Sequence, residues 1–583
     1  MKKILAFILS AVMIFTLTVT PASAIDIAEV KTAVTDVLCK ALAFVFEGLV
    51  NGIVAPIREG DNFISEEEYL SDSLCGGLYD GTDLFLSEAP ADARWSLGSA
   101  SASLVPEDWE TYSDLYLGGY MSTDNYMSND VREILDDMRV RVIAMSDGTG
   151  RGTAVFATID SIGLGNSDVE GIRRMLDGFA QAKGINSINI FTTHSHSGID
   201  TQGLWTDIIG TWPFAFIKGY TGMGDYYGGT SDRYMAFLYE KVSLAIEAAV
   251  ADMEEGTLVY AEKDFGTKYA SIDNRPSADA LDGRIKRFTF TPDSGSTPTV
   301  IVNMAAHPST AGMATGSADD LVKGHGVSGD YVYYMGEVIN GAGYDFMFFN
   351  GAICGIYTDT PDVNTDRRVD KAAAYGKEMG KITLALTMTQ TEIEADSYLM
   401  GLSFTEEELA GRSYTPWYEG WTPVTERQVA PLLNIKLKNV EVQITNPVIL
   451  LAAKLKLVNY TAKKTESGDC FITTEIGYME LGEDLKIAFV PGEFCADLAY
   501  GGSSLRAENS ARGRDFSEQT LAELFGEDIL VFGMANDAVG YIVPDNDYLM
   551  CIDFGHYHET ISLGQSTAST LMKGFAELRD EIG

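Results

Sequence analysis

From Asp92 onward the chain alternates short β-branched, apolar runs with longer stretches of helical periodicity, and that alternation constrains the fold more than anything else in it. Strands are expected at Arg139–Ser146, Ala154–Ile162, Ile188–Thr193, Thr257–Glu262, Arg284–Thr291, Thr299–Ala305 and Asp345–Asn350, and again at Ile393–Phe404, Phe471–Leu481 and Leu485–Val490. Between them, Ser167–Ala182, Asp232–Met253, Gly329–Asn340 and Arg367–Met388 carry apolar residues at helical spacing. The pattern describes an α/β protein with large mixed sheets and helices packed on them. No internal repeat and no low-complexity linker divides residues 92–583, which read as one large domain.

The start of the chain has a different character. Lys2 and Lys3 precede an apolar run from Ile4 to Thr18, and Ala22-Ser23-Ala24 follows. A secretory signal peptide cut after Ala24 has this form, and it implies a secreted or cell-surface protein. No later run reaches the roughly 20 apolar residues of a membrane span. Residues 25–91 read as a separate segment, with a helical apolar stripe over Ile27–Ile57 and acidic, Gly-rich sequence after it. The formal charge of −42 argues against nucleic-acid and anionic-lipid partners. Six cysteines in 583 residues show no metal-type spacing and too many pairings for sequence to choose among.

Reactive residues gather where apolar strands end. Ile188-Asn189-Ile190-Phe191-Thr192-Thr193 runs into His194-Ser195-His196-Ser197-Gly198, so two of the six histidines sit one residue apart. On a strand, such residues share a face. Val300-Ile301-Val302-Asn303 leads to His307-Pro308, Phe346-Met347-Phe348-Phe349 to Asn350 and Cys354, and Ile487-Ala488-Phe489-Val490 to Pro491-Gly492-Glu493. A sheet that delivers functional groups from several strand ends builds a site. Two or three histidines with one carboxylate suit zinc (Zn2+) with a position left open for water or substrate.

These segments resemble, in order, motifs of the neutral ceramidase family. Thr193-His194-Ser195-His196-Ser197-Gly198 is similar to its T-H-T/S-H-S-G motif, Ala306-His307-Pro308-Ser309-Thr310 to its H-P-T segment, and Val490-Pro491-Gly492-Glu493-Phe494 to its P-G-E-F/P turn. Asp273-Asn274-Arg275-Pro276 with Asp282 and Arg287-Phe288 resembles its N-R-S-P…D…L-R-F stretch, and Gly533 to Ile542 its G-x-x-N-x-Y-x-x-Y-V/I segment. The resemblance spans roughly residues 92–580. It implies that His194, His307 and Glu493 are zinc ligands and that His196 is a catalytic histidine at the reacting amide or water. It further implies that Arg275 orients the substrate and that Tyr541 binds the carbonyl oxygen. The family's late tyrosine ligand falls on Tyr557, or on His558 if the serines are aligned.

The chain departs from the family in two places. Cys354 stands in the slot of the family's serine, in the G-D/N-x-S-P-N segment, and the Pro-Asn that follows is absent. A thiol can act as a nucleophile when a metal or cation lowers its pKa, or it can simply fill a buried space. The family's C-terminal β-sandwich domain also has no counterpart before Gly583. The expectation is therefore a secreted zinc amidohydrolase, with ceramide or a related N-acyl lipid or small amide as its partner and a peripheral membrane-surface contact. A different ester or amide hydrolase using Cys354, and a non-catalytic surface-binding protein, are the alternatives.

Overall fold

The computed structural model describes residues 79–583 except 121–127, 207–211, 223–228, 273–274, 276, 313–324, 413, 459 and 551–555, together with 48, 50–60 and 62–65. The expected signal peptide and most of the Ile27–Ile57 stripe lie outside the described residues. The described parts of the N-terminal segment are joined to the body: Phe63–Ser65 pairs in parallel with Ala462–Lys464, and Asp80 and Gly81 bridge to Ser187 and Lys436.

Nine strands form the larger sheet. Eight are β1 (Trp95–Ser103), β2 (Arg139–Ser146), β3 (Thr153–Ile159), β4 (Ile185–Thr192), β5 (Glu254–Asp264), β6 (Arg284–Pro292), β7 (Thr299–Met304) and β8 (Asp345–Asn350), in the order β8-β7-β6-β5-β1-β2-β3-β4. The ninth, Arg427–Gln428, pairs with β5. The end pairs β7–β8 and β3–β4 are parallel, and every pair between them is antiparallel. A second, six-stranded sheet contains β9 (Leu433–Gln443), β10 (Cys470–Leu481), β11 (Leu485–Phe489) and β12 (Leu530–Phe532), with Phe63–Ser65 and Ala462–Lys464 at one edge.

The two sheets stack face to face. Trp95, Phe156, Phe191, Phe288 and Phe349 of the first share one buried cluster with Leu433, Met479, Ile487, Phe489 and Phe532 of the second. Sheets buried on both faces read as largely apolar runs, as β7 and β8 do, and need helices outside them. Helices α1 (Asn166–Lys183) and α2 (Asp232–Ala251) cover β2–β4, while α3 (Asp330–Gly341) and α4 (Arg368–Ala385) cover β7 and β8. Helix α5 (Thr567–Ile582) covers the second sheet. The result is four layers, α/β/β/α, as the alternation in sequence implies.

Helix α1 shows how local signals set these elements. Val169, Ile172, Leu176 and Ala180 form its buried stripe, and Gly184 ends it at φ 67°, donating to the carbonyls of Ala180 and Gln181. Ile393–Phe404 departs from expectation. It forms two short helices, Gln390–Ala395 and Ser397–Gly401, because Thr389 and Glu392 make a reciprocal capping box and Asp396 caps the second. Cap chemistry outweighs a weak strand pattern there.

One feature of the larger sheet positions the site. Its two edge strands, β4 and β8, come back together: Phe191 meets Phe349 with ring centroids 4.9 Å apart, and Asn350 Nδ2 donates to Thr193 O at 2.9 Å. The sheet thus curls until its edges almost close. The residues that leave β4, β7 and β8 converge as a result.

Candidate metal centre

His194 leaves β4 in the left-handed region, at φ 67°. A non-glycine residue there is strained by about 1–3 kcal/mol and persists only when its surroundings over-determine it. They do so here. Thr192 N donates to Met534 O, Thr193 N to Ile159 O, Ser195 N to Ser161 O and His196 N to Pro308 O, each within 3.1 Å. Gly119 lies directly against this turn, where a Cβ would sit 2.7 Å from His196 Cα. Only glycine fits that approach, at φ 110°.

His307 and Glu493 arrive by similar turns. His307 N donates to Ile356 O, and its ring Nδ1 lies 3.1 Å from Ile353 O and 3.2 Å from Ile356 O. His194 Nδ1 lies 2.7 Å from Ile162 O. Glu493 pairs in parallel register with Tyr541, in a two-stranded ribbon just past β11. Carbonyl partners at both Nδ1 atoms place the protons there and leave each Nε2 a bare lone pair. These lone pairs face one carboxylate oxygen: Glu493 Oε2 is 3.0 Å from His307 Nε2 and 3.3 Å from His194 Nε2. None of the three atoms makes a well-formed hydrogen bond, and all are buried. Three acceptors crowded without a proton are mutually repulsive. A tetrahedral cation with bonds of about 2.0–2.1 Å would set such atoms about 3.3 Å apart, so the residues present fit a metal ion.

His196 belongs to the same cluster. Donor atoms of His194, His196 and His307 lie within 4.8 Å of one another, a group that could hold a metal ion. Proximity of donor atoms favours the three histidines, whereas the Nε2–Oε2 distances favour His194, His307 and Glu493. The second set is the better oriented: both of its histidines hold a carbonyl at Nδ1, whereas neither His196 nitrogen makes a well-formed hydrogen bond. Burial and the neighbouring His194 and His307 rings push His196 well below the usual imidazole range, so it stays neutral.

Tyrosines surround the cluster. Tyr541 lies beside Glu493 in the ribbon, and burial with the nearby Glu493 charge drives its hydroxyl well above the phenol range. Tyr557 Oη bonds Tyr357 Oη at 2.8 Å, and the Tyr357 ring stacks on His307 at 5.1 Å. Tyr120 tilts over His196 at 4.6 Å; burial pushes its hydroxyl up to about 12. His558 stacks on Tyr557 at 4.0 Å, is fully buried, and has no hydrogen bond on either ring nitrogen. Burial and Arg275 push it down to about 3.

The remaining expected residues sit close by but are otherwise engaged. Arg275 is buried, 2.7 Å from Asp547 and 3.3 Å from Glu559. Cys354 lies two residues before Ile356 and is 2% exposed; burial and the adjoining Cys495 thiol push its pKa well above the thiol range. A nucleophilic thiol needs the opposite shift, so the packing reading of Cys354 has the physical support. Tyr357 and Tyr120 carry no sequence signal that separates them from the other 26 of the chain's 28 tyrosines. Only the curled sheet brings them to the histidines.

Fold and site together describe an α/β protein whose strand ends build a buried histidine–carboxylate centre. No family model and no curated relative matches the sequence. Solved structures that share the fold include two ceramidases. The neutral ceramidase from Pseudomonas aeruginosa superposes with a TM-score of 0.54 at 14% identity, covering 84% of this chain and 75% of that one. A ceramidase complexed with C2 gives 0.54 at 13% identity over the same shares. At these identities the likeness is one of fold. The chain has a ceramidase-like fold.

Proposed function

We propose that this chain is a zinc-dependent amidohydrolase that cleaves the N-acyl amide of ceramide or a related N-acyl lipid. The observation that carries the reading is the convergence of two carbonyl-oriented histidine Nε2 lone pairs on Glu493 Oε2, buried and without a proton between them. The fold shared with ceramidases supports the substrate class, as do the ordered motifs around His194, His307, Glu493 and Tyr541.

Zinc held by His194, His307 and Glu493 would polarise an amide carbonyl and lower the pKa of a water to about 7. The chain's own residues supply the rest. His196, kept neutral by burial, accepts the proton of the attacking water and returns it to the leaving amine. Tyr541, whose proton is held tightly, donates a hydrogen bond to the developing oxyanion, and Tyr557 with Tyr357 extends that hydroxyl network. Tyr557 or His558 would supply a fourth ligand. Arg275, locked to Asp547 and Glu559, acts by fixing the segment around His558. The apolar run at Ile4–Thr18 supports export, and no helix among the described residues is long and apolar enough to cross a membrane.

The test is fatty-acid release from N-acyl sphingosine by the purified chain. Activity abolished by a chelator and by His194→Ala supports the reading. Zinc binding with no hydrolysis across a panel of amides and esters sinks it.

A further inference from the structure

Two thiols meet beside the metal centre. Cys354 N donates to Phe494 O at 3.2 Å, which sets Cys354 next to Cys495. Both are free thiols, their side chains are close enough to interact, and both feel the Arg275 charge. They are 2% and 1% exposed and share one apolar cluster. The remaining described cysteine, Cys470, is engaged elsewhere, its thiol donating to Gly468 O at 3.8 Å. The two loops also matter for what they hold. Carbonyls of Ile353 and Ile356, on either side of Cys354, orient the His307 ring. Cys495 lies two residues past Glu493, and its N–H bonds Ile542 O in the ribbon that carries Tyr541.

We propose that Cys354 and Cys495 close to a disulfide that fastens the loop orienting His307 to the turn carrying Glu493. The crosslink stands on the adjacency of the two residues and does not depend on the function proposed above. The backbone bond between their segments and the shared apolar cluster hold the two side chains close together, and an S–S bond of about 2.05 Å then needs only local side-chain movement. The step is thiol–disulfide exchange with a small-molecule or protein disulfide of the kind an exported chain meets. One cysteine thiolate attacks the donor and forms a mixed disulfide. The second displaces the donor's other sulfur. The cysteine pair loses two electrons and two protons, and the donor leaves as two thiols. Burial of both sulfurs makes exchange slow in the folded chain, so the bond forms during folding and is then shielded from reductant.

Non-reducing peptide mapping of the full-length chain, folded with a glutathione disulfide buffer and alkylated under denaturing conditions, tests this. The expected result is one joined peptide pair containing Cys354 and Cys495, unalkylated and separated by reductant only after unfolding. Cys495→Ser should abolish that pair and lower the melting midpoint by ~4 °C or more. Recovery of both residues as alkylated thiols, or of either joined to a different cysteine, would overturn the proposal. Zinc content measured on the same sample separates the two readings. A crosslinked chain without zinc contradicts the metal centre alone, and a zinc-loaded chain with two free thiols contradicts the crosslink alone.

Discussion

His194 and His196 are one residue apart, yet the turn at φ 67° gives them different neighbours. The first is oriented by Ile162 O with its Nε2 toward Glu493; the second makes no well-formed hydrogen bond and packs under Tyr120. Their substitutions should therefore separate. His194→Ala and His307→Ala should lose both metal and activity. His196→Ala should keep the metal and lose about 10²–10⁴-fold in kcat, the usual contribution of a general acid–base. Equal metal loss in all three variants would mean that His196 is a ligand. Tyr541→Phe should cost about 10²–10³-fold in kcat with KM little changed, as for a lost oxyanion donor. Steady-state rates beside metal analysis read both results, and a KM effect alone at Tyr541 would argue for a binding role.

Among the elements, β4 carries the most. It is a sheet edge, it ends in His194, and it meets α1 and the second sheet through Arg173. That side chain, fully buried, bonds Ile188 O, lies 2.6 Å from Glu170 and reaches Glu475 on β10 at 2.8 Å. Arg173→Ala would strand two buried carboxylates and should destabilise the fold by about 3–5 kcal/mol in chemical unfolding. A change under about 1 kcal/mol would show that the cluster is not a structural link. The strand–helix alternation, the apolar runs of β7 and β8 and the reactive residues at the strand ends were all legible in sequence, because burial on both faces leaves a largely apolar signature. The Gln390–Gly401 helices were not, since two apolar positions, Ile393 and Leu399, say less than their caps. Nor were Tyr120 and Tyr357. Each reaches a histidine from a distant point in the chain, across a curl of the sheet that no local pattern encodes.

At the scale of the molecule, burial of carboxyls in an acidic chain sets the pH response. Asp330 and Asp537 are pushed up to about 7 by burial, and Asp136 and Asp200 up to about 6. Each is raised above an unfolded value of about 3.9. A raised carboxyl favours the folded state while protonated, and that contribution is lost as pH climbs through the folded value. The overall charge of −42 adds repulsion in the same direction. The melting midpoint should thus fall by ~5 °C or more from about pH 5.5 to about pH 8, and a flat or rising profile in thermal unfolding would contradict this.

The four layers and the curled sheet have one consequence that matters most: they press two bare imidazole nitrogens and a carboxylate oxygen together inside the protein. Elemental analysis of the purified chain tests that directly. The expected result is about one zinc per chain, retained through gel filtration and absent from His194→Ala, His307→Ala and Glu493→Ala. A folded wild-type chain free of zinc after incubation with the ion, or variants that bind it as the wild type does, would contradict it.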